Sequence, residues 1–202
     1  MMSVSRTFPR HLRLAVLVLG MAMTVAGPAA PAGEDAEAAW DALGQSGAVA
    51  IMRHALAPGI GDPAGFRIDD CSTQRTLDAR GRAQARKIGA EMRARGVRFD
   101  RVLTSRWCRC RETARLMDVG PVEAFPVLDS FFADRRANGP RQTAALRDFL
   151  DDRPAGERIL LVTHQVNITA LTGRGVTSGE VVVLDPAAAA EGSVAGTIAL
   201  GP

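Results

Sequence analysis

Histidine is scarce in this chain, with three residues in 202. His11 lies in the amino-terminal stretch, so imidazole chemistry in the rest of the protein rests on His54 and His164. Lysine is scarcer, with Lys87 alone among 25 basic residues. Genomic base composition suffices to explain that bias, and no function is read from it. No apolar run reaches the roughly 20 residues needed to cross a bilayer. The run from Leu14 to Ala26 has 13. There is no internal repeat and no linker within residues 36–202. A Gly-x-Ser-x-Gly elbow is absent, which argues against a serine hydrolase using one of the histidines as its base. A His-x3-His pair is also absent. A zinc site would therefore have to combine His54, His164 and a thiol of Cys108-x-Cys110, without closely spaced ligands.

What the sequence does have begins with a leader. Arg6, Arg10 and Arg13 precede the short apolar run, and Ala30-Pro31-Ala32 follows it. A basic start, an apolar middle and an A-x-A exit form the layout of a secretory signal peptide. Residues 1–32 are read as that signal and residues 33–202 as one domain. A periplasmic or secreted location follows, with no stable membrane span after cleavage. The alternative is an uncleaved anchor. No cysteine lies near the cleavage site, which speaks against a lipoprotein. Without the three leader arginines, 22 basic and 22 acidic residues remain. The high isoelectric point thus gives no support to nucleic-acid binding, which needs a basic face on the folded domain.

Cys71, Cys108 and Cys110 all follow the leader. In an oxidising compartment one bridge and one free thiol fit, joining Cys71 to either Cys108 or Cys110. Closing a loop of that length stabilises by roughly 3–4 kcal/mol. Three buried reduced thiols are the alternative.

Along the domain, Ala48–Met52 is a short apolar run expected to be a buried strand. Leu77, Gly81, Ala85, Ile88 and Met92 recur at helical spacing, and Gly96 ends that helix. Arg80, Arg82, Arg86, Lys87 and Arg93 lie off the stripe and read as a solvated face. A strand over Arg101–Thr104 leads into a helix near Arg106–Met117. Residues 122–128 are an extended candidate, and a helix is expected near Arg141–Leu150. Ile159–Thr163 is a clear strand, with a short helix following through Leu171. Val181–Leu184 and Val194–Leu200 read as late strands. The alternation predicts an α/β three-layer sandwich with a mainly parallel central sheet. Such sheets bind ligands beyond the carboxyl ends of their strands.

His54 and His164 both occur there. Ala48–Met52 runs into Arg53-His54, and Ile159–Thr163 runs into His164. Parallel neighbouring strands would deliver both imidazoles to one edge. The strand ending Thr104-Ser105 leads to Arg109 in the first turn of a helix, where free amides and the dipole suit a phosphate.

Four segments carry a resemblance: Arg53-His54-Ala55, Leu77-x3-Gly81-x2-Gln84-Ala85, Thr104-Ser105-x3-Arg109-x3-Thr113-Ala114, and Val162-Thr163-His164. In these the chain resembles the histidine phosphatase superfamily, of phosphoglycerate mutase-like fold. The resemblance implies a phosphatase that hydrolyses phosphate monoesters through a phosphohistidine. His54 is then the nucleophile, Arg53 and Arg109 offer bidentate hydrogen bonds to phosphate oxygens, and protonated His164 donates another. It implies no metal and no cofactor, and a small or surface-linked phosphorylated substrate. Ala55 stands where relatives have glycine, so its backbone must avoid positive φ or be strained. Gln165 stands where many relatives have glycine or an acid. Asp129 is the candidate general acid, with Asp62 and Asp70 as alternatives; each also reads as an ordinary loop or capping carboxylate. Phe131–Thr143, with Arg135, Arg136 and Arg141, is a candidate rim or a solvated loop, and Glu180 reads as structural. The competing function on the same fold is a module that binds an anion without turnover.

Overall fold

A computed structural model describes Met1, Met2 and residues 32–201. The expected leader, apart from Met1, Met2 and Ala32, lies outside the described residues. Six strands form one sheet: β1 (Val49–Arg53), β2 (Arg101–Thr104), β3 (Val122–Ala124), β4 (Ile159–Thr163), β5 (Val181–Leu184) and β6 (Val194–Ile198). Their order is β3-β2-β4-β1-β5-β6. The first four are mutually parallel, whereas β5 runs antiparallel to β1 and β6 antiparallel to β5. Among the described residues the α-helices are α1 (Ala32–Gly44), α2 (Ala79–Ala94), α3 (Cys108–Met117), α4 (Gly139–Asp151) and α5 (Gln165–Thr172).

Alternation along the strands divides the core into two layers. Ala50, Met52, Leu160 and Val162 face one side with Ile88 and Met92 of α2 and Met117 of α3. Val49, Ile51, Ile159 and Leu161 face the other with Leu146 and Leu150 of α4 and Leu171 of α5. A strand apolar on both faces is what a sheet covered by helices on both sides requires. The architecture is therefore a mostly parallel α/β sandwich. Truncating one of these buried leucines to alanine is expected to cost about 2–5 kcal/mol.

Two elements depart from the sequence reading. Helix α1 begins at Ala32, the last residue of the expected leader, and packs Ala39, Trp40 and Leu43 into the first layer. Its alanine-rich start reads as a continuation of the leader, which hides it. Strand β3 is only three residues long, because Pro126 opens a 3-10 turn over Pro126–Leu128.

Candidate active site

The site forms where β1 and β4 end side by side. Their register pairs Arg53 with Thr163, so His54 and His164 are the next residues on neighbouring strands. The His54 amide donates to the Thr163 carbonyl at 3.0 Å. The two imidazole centroids lie 5.5 Å apart, edge to face. Both rings line a cleft of about 1350 Å³, together with Arg53, Arg75, Arg109 and Gln165.

The loop after His54 is anchored by the other motif residues. Ala55 N donates to Thr113 Oγ1 at 3.0 Å, and Leu56 N donates to Gln84 Oε1 at 2.9 Å. Gln84 Nε2 in turn donates to the Ser178 carbonyl at 2.8 Å. Gly81 permits this close approach, since a Cβ there would sit 1.9 Å from the Leu56 carbonyl oxygen. Ala55 stays out of the positive-φ region, so replacing glycine introduces no backbone strain.

His54 has its proton assigned by geometry. Nδ1 lies 2.8 Å from the Ala55 carbonyl oxygen, which only accepts, so Nδ1 carries the hydrogen and Nε2 keeps the lone pair. Arg109 Nε donates to that lone pair at 3.2 Å. Burial disfavours the charged ring, and the Arg109 guanidinium adds to this, so His54 titrates well below an ordinary histidine.

His164 is fixed the opposite way round. Its Nε2 lies 2.9 Å from Ser105 Oγ and 3.5 Å from Cys110 Sγ. Ser105 donates onward to the Asp129 carboxylate at 3.4 Å, and Cys110 to the Thr163 carbonyl at 3.6 Å. Both neighbours are therefore left as acceptors for an Nε2 hydrogen. Among the described residues Nδ1 has no protein partner. Burial, then Arg109 and His54, also push His164 well below the usual value. The ring is thus neutral at neutral pH.

The arginines are more constrained than their sequence positions suggest. Arg109 does not offer its fork to the cleft. Its Nη1 and Nη2 pair with Asp62 at 2.7 and 3.1 Å, leaving Nε to face His54. Asp62 also accepts from Trp107 Nε1 at 2.9 Å and Arg75 N at 3.1 Å. Burial raises its pKa, but these bonds and the Arg109 charge outweigh that and hold it below the usual carboxylate value. Arg53 Nη1 donates to Gln165 Oε1 at 3.0 Å and to the Val176 carbonyl at 3.1 Å.

The carboxylates considered as acids are all engaged. Asp129 does not line the cleft. It accepts from Arg106 Nε at 2.7 Å and from the Arg106 amide at 2.9 Å. Asp70 is bonded to Ser72 and paired with Arg67 at 2.8 Å, away from the cleft. Glu180 accepts from Thr177 at its own strand entrance. Cys71 and Cys108 form a disulfide and Cys110 is a buried free thiol, so the sulfur of Cys108 is taken.

Arg75 is the site residue that the sequence reading missed. It lines the cleft, tied by Nε to the Gly61 carbonyl at 2.7 Å and by Nη1 to the Ala57 carbonyl. Burial and then Arg109 lower its pKa to about 10, which still leaves it charged at neutral pH. It lies in an irregular stretch before α2, where no periodicity marks it.

This arrangement matches a known class. Residues 50–129, which include Arg53, His54 and Arg109, match the family model of the histidine phosphatase superfamily, branch 1. Over those residues the chain is similar to that superfamily, which supports phosphatase-type chemistry at family level. Its fold is similar to that of the candidate phosphohistidine phosphatase SixA of Agrobacterium tumefaciens, with 20% identity, 76% of this chain and 98% of that one covered, and a TM-score of 0.54. The corresponding protein of Nakamurella multipartitia gives 18%, 75% and 93%, with a TM-score of 0.52. The product of an open reading frame of Mycobacterium tuberculosis gives 14%, 76% and 96%, with a TM-score of 0.54. No curated protein matches the chain. At these identities the likeness carries the fold.

Proposed function

We propose that this protein hydrolyses phosphate monoesters through a phosphohistidine on His54. The observation that supports this most is the buried His54 Nε2 lone pair, with its ring proton held on the far side by Ala55. A neutral imidazole in that state is a nucleophile.

Arg109 Nε turns from the Nε2 lone pair to a phosphate oxygen, and the freed lone pair attacks phosphorus in line with the ester oxygen. The P–N bond forms as the P–O bond breaks, and the leaving alkoxide takes a proton from solvent. Arg53, Arg75 and Arg109 Nε spread positive charge over the non-bridging oxygens, where charge builds in the transition state. The phosphate draws a proton onto His164 Nδ1, which then donates to it. Water next attacks phosphorus, the P–N bond breaks, and inorganic phosphate leaves with His54 restored. Among the described residues lining the cleft, Asp62 is the single carboxylate and Arg109 holds it ionised. No side chain is therefore assigned as acid, and esters with good leaving groups are the preferred substrates.

Export to the periplasm or medium belongs to the same proposal, supported by the leader pattern and the Cys71–Cys108 bridge. Hydrolysis of p-nitrophenyl phosphate tests the reaction, because that leaving group needs little acid help. His54→Ala is expected to lower kcat by on the order of 10⁴ or more. Tight phosphate binding without turnover of any ester would replace the proposal with an anion-binding module.

A further inference from the structure

The cleft extends well beyond the space that one phosphate fills, and its outer wall is as specific as its floor. Arg135 lies over two aromatic rings, 4.8 Å from the centroid of Phe66 and 5.4 Å from that of Trp107. Trp107 packs edge-on against His164 at 5.4 Å. Two steps of 5.4 Å thus lead from the Arg135 guanidinium to the imidazole at the floor. Arg136 lines the same wall. Nearby Arg106 and Arg109 each hold a carboxylate, whereas among the residues whose side chains are described neither Arg135 nor Arg136 forms an ion pair. Of the exposed large apolar side chains within residues 32–201, Ile60 and Phe132 both border this cleft.

A guanidinium stacked on two rings is oriented in advance, with its N–H groups free to donate in its own plane. It stands on the Phe66 and Trp107 rings rather than on either imidazole, and Arg53, Arg75 and Arg109 already line the cleft around His54. We propose that the cleft has a second anion subsite at Arg135 and Arg136, and that its substrate is a phosphate ester carrying another anionic group several bonds away. The apolar contact from Ile60 and Phe132 falls on the body between the two groups. This rests on the reading of His54 and His164 as the phosphoryl site.

Calorimetry on His54→Ala, which keeps the ester intact, compares fructose 1,6-bisphosphate with fructose 6-phosphate. The bisphosphate is expected to bind at least about tenfold tighter, the scale of a charge-assisted hydrogen-bonded contact. Adding Arg135→Ala should remove most of that ratio, and Arg135→Lys should restore part of it. Reading the ratio within each variant separates the subsite from any general disturbance at Trp107. Binding of the two sugars within the twofold expected from having two phosphates would overturn the proposal. So would loss of binding to anionic phospholipid vesicles on Arg135→Ala without discrimination between the sugars, which would point to a lipid surface. If the wild-type protein hydrolyses no ester, p-nitrophenyl phosphate included, but His54→Ala keeps the ratio, the subsite stands and the hydrolytic reading falls.

Discussion

The floor of the cleft and its wall hold their charges by different means. At the floor, His54 and His164 leave adjacent parallel strands in register, so the sheet itself sets their separation. Arg75, from the loop before α2, and Arg135 at the wall, from a 3-10 turn over Ala133–Asn138, are fixed instead by carbonyl oxygens and aromatic faces. Arg109 links the two, from the first turn of α3, through its pair with Asp62 in the loop after β1. A strand edge is as rigid as the core beneath it, whereas a loop is only as rigid as its side-chain anchors. Perturbations of the anchors should therefore separate wall from floor.

Asp62→Ala should have the largest effect on that separation. Arg109 is 3% exposed, and removing its partner leaves a buried charge uncompensated. That costs about 3–5 kcal/mol of stability. Phosphate supplies the missing negative charge, so saturating phosphate should restore much of the loss. Urea unfolding with and without phosphate measures both. Equal destabilisation in the two conditions would show that Arg109 does not face the anion.

Opening the disulfide comes next. Cys108 begins α3 one residue before Arg109, and Cys71 lies in the loop that also holds Arg75. With the cysteines 37 positions apart, Cys71→Ser should lose roughly 3–4 kcal/mol. Unfolding midpoints of wild type with and without reductant should differ by a similar amount, and the mutant should not respond. Cys110 will not substitute as a partner readily, because burial raises its thiol to about 12.

The floor was more legible from sequence than the wall, for a physical reason. A histidine just past a five-residue apolar run has a predictable position, because a strand end fixes the direction of the next side chain. The same logic placed Arg109, since β2 runs into α3 across a short connection. It could not show that Asp62, 47 residues earlier, would occupy the Arg109 fork. Residues 54–78 have no period to read; they turn through Gly59, Gly61 and Gly65 in the left-handed region and are held by long-range hydrogen bonds. Asp129 looked like an acid from its place in the chain. Its engagement by Arg106 and Ser105 depends on where the start of α3 meets the segment after β3, and no spacing announces that.

The neutral histidines give a pH signature. Both rings have pKa values lowered in the folded state, mainly by burial. The unfolded chain takes up protons at these positions near pH 6.5 while the folded one does not. Stability is thus complete above about pH 6.5 and falls as pH drops below it. Phosphate binding works in the opposite direction, drawing a proton onto His164. Titration of inorganic phosphate at about pH 8.5, where it is already the dianion, in buffers of different ionisation enthalpy should show uptake of up to about one proton per site. Proton release would contradict the role given to His164.

The smallest effect is expected at Gln165, which touches both regions. Its Oε1 accepts from Arg53 Nη1 at 3.0 Å, and the Val176 carbonyl accepts from the same nitrogen at 3.1 Å. Gln165 is solvent-exposed, so losing this bond should cost only about 0.5–1 kcal/mol, a two- to fivefold change. Val176 still restrains Arg53 in Gln165→Ala, and the guanidinium keeps its charge. If Arg53 contacts the phosphate equally in ground and transition states, the change should appear as a raised KM with kcat nearly constant. A fall in kcat with KM unchanged would instead mean that the exact placement of Arg53 matters mainly as the P–O bond breaks. Gln165 would then be a positioning residue for the transition state, and the floor would depend on its loop anchors as much as the wall does.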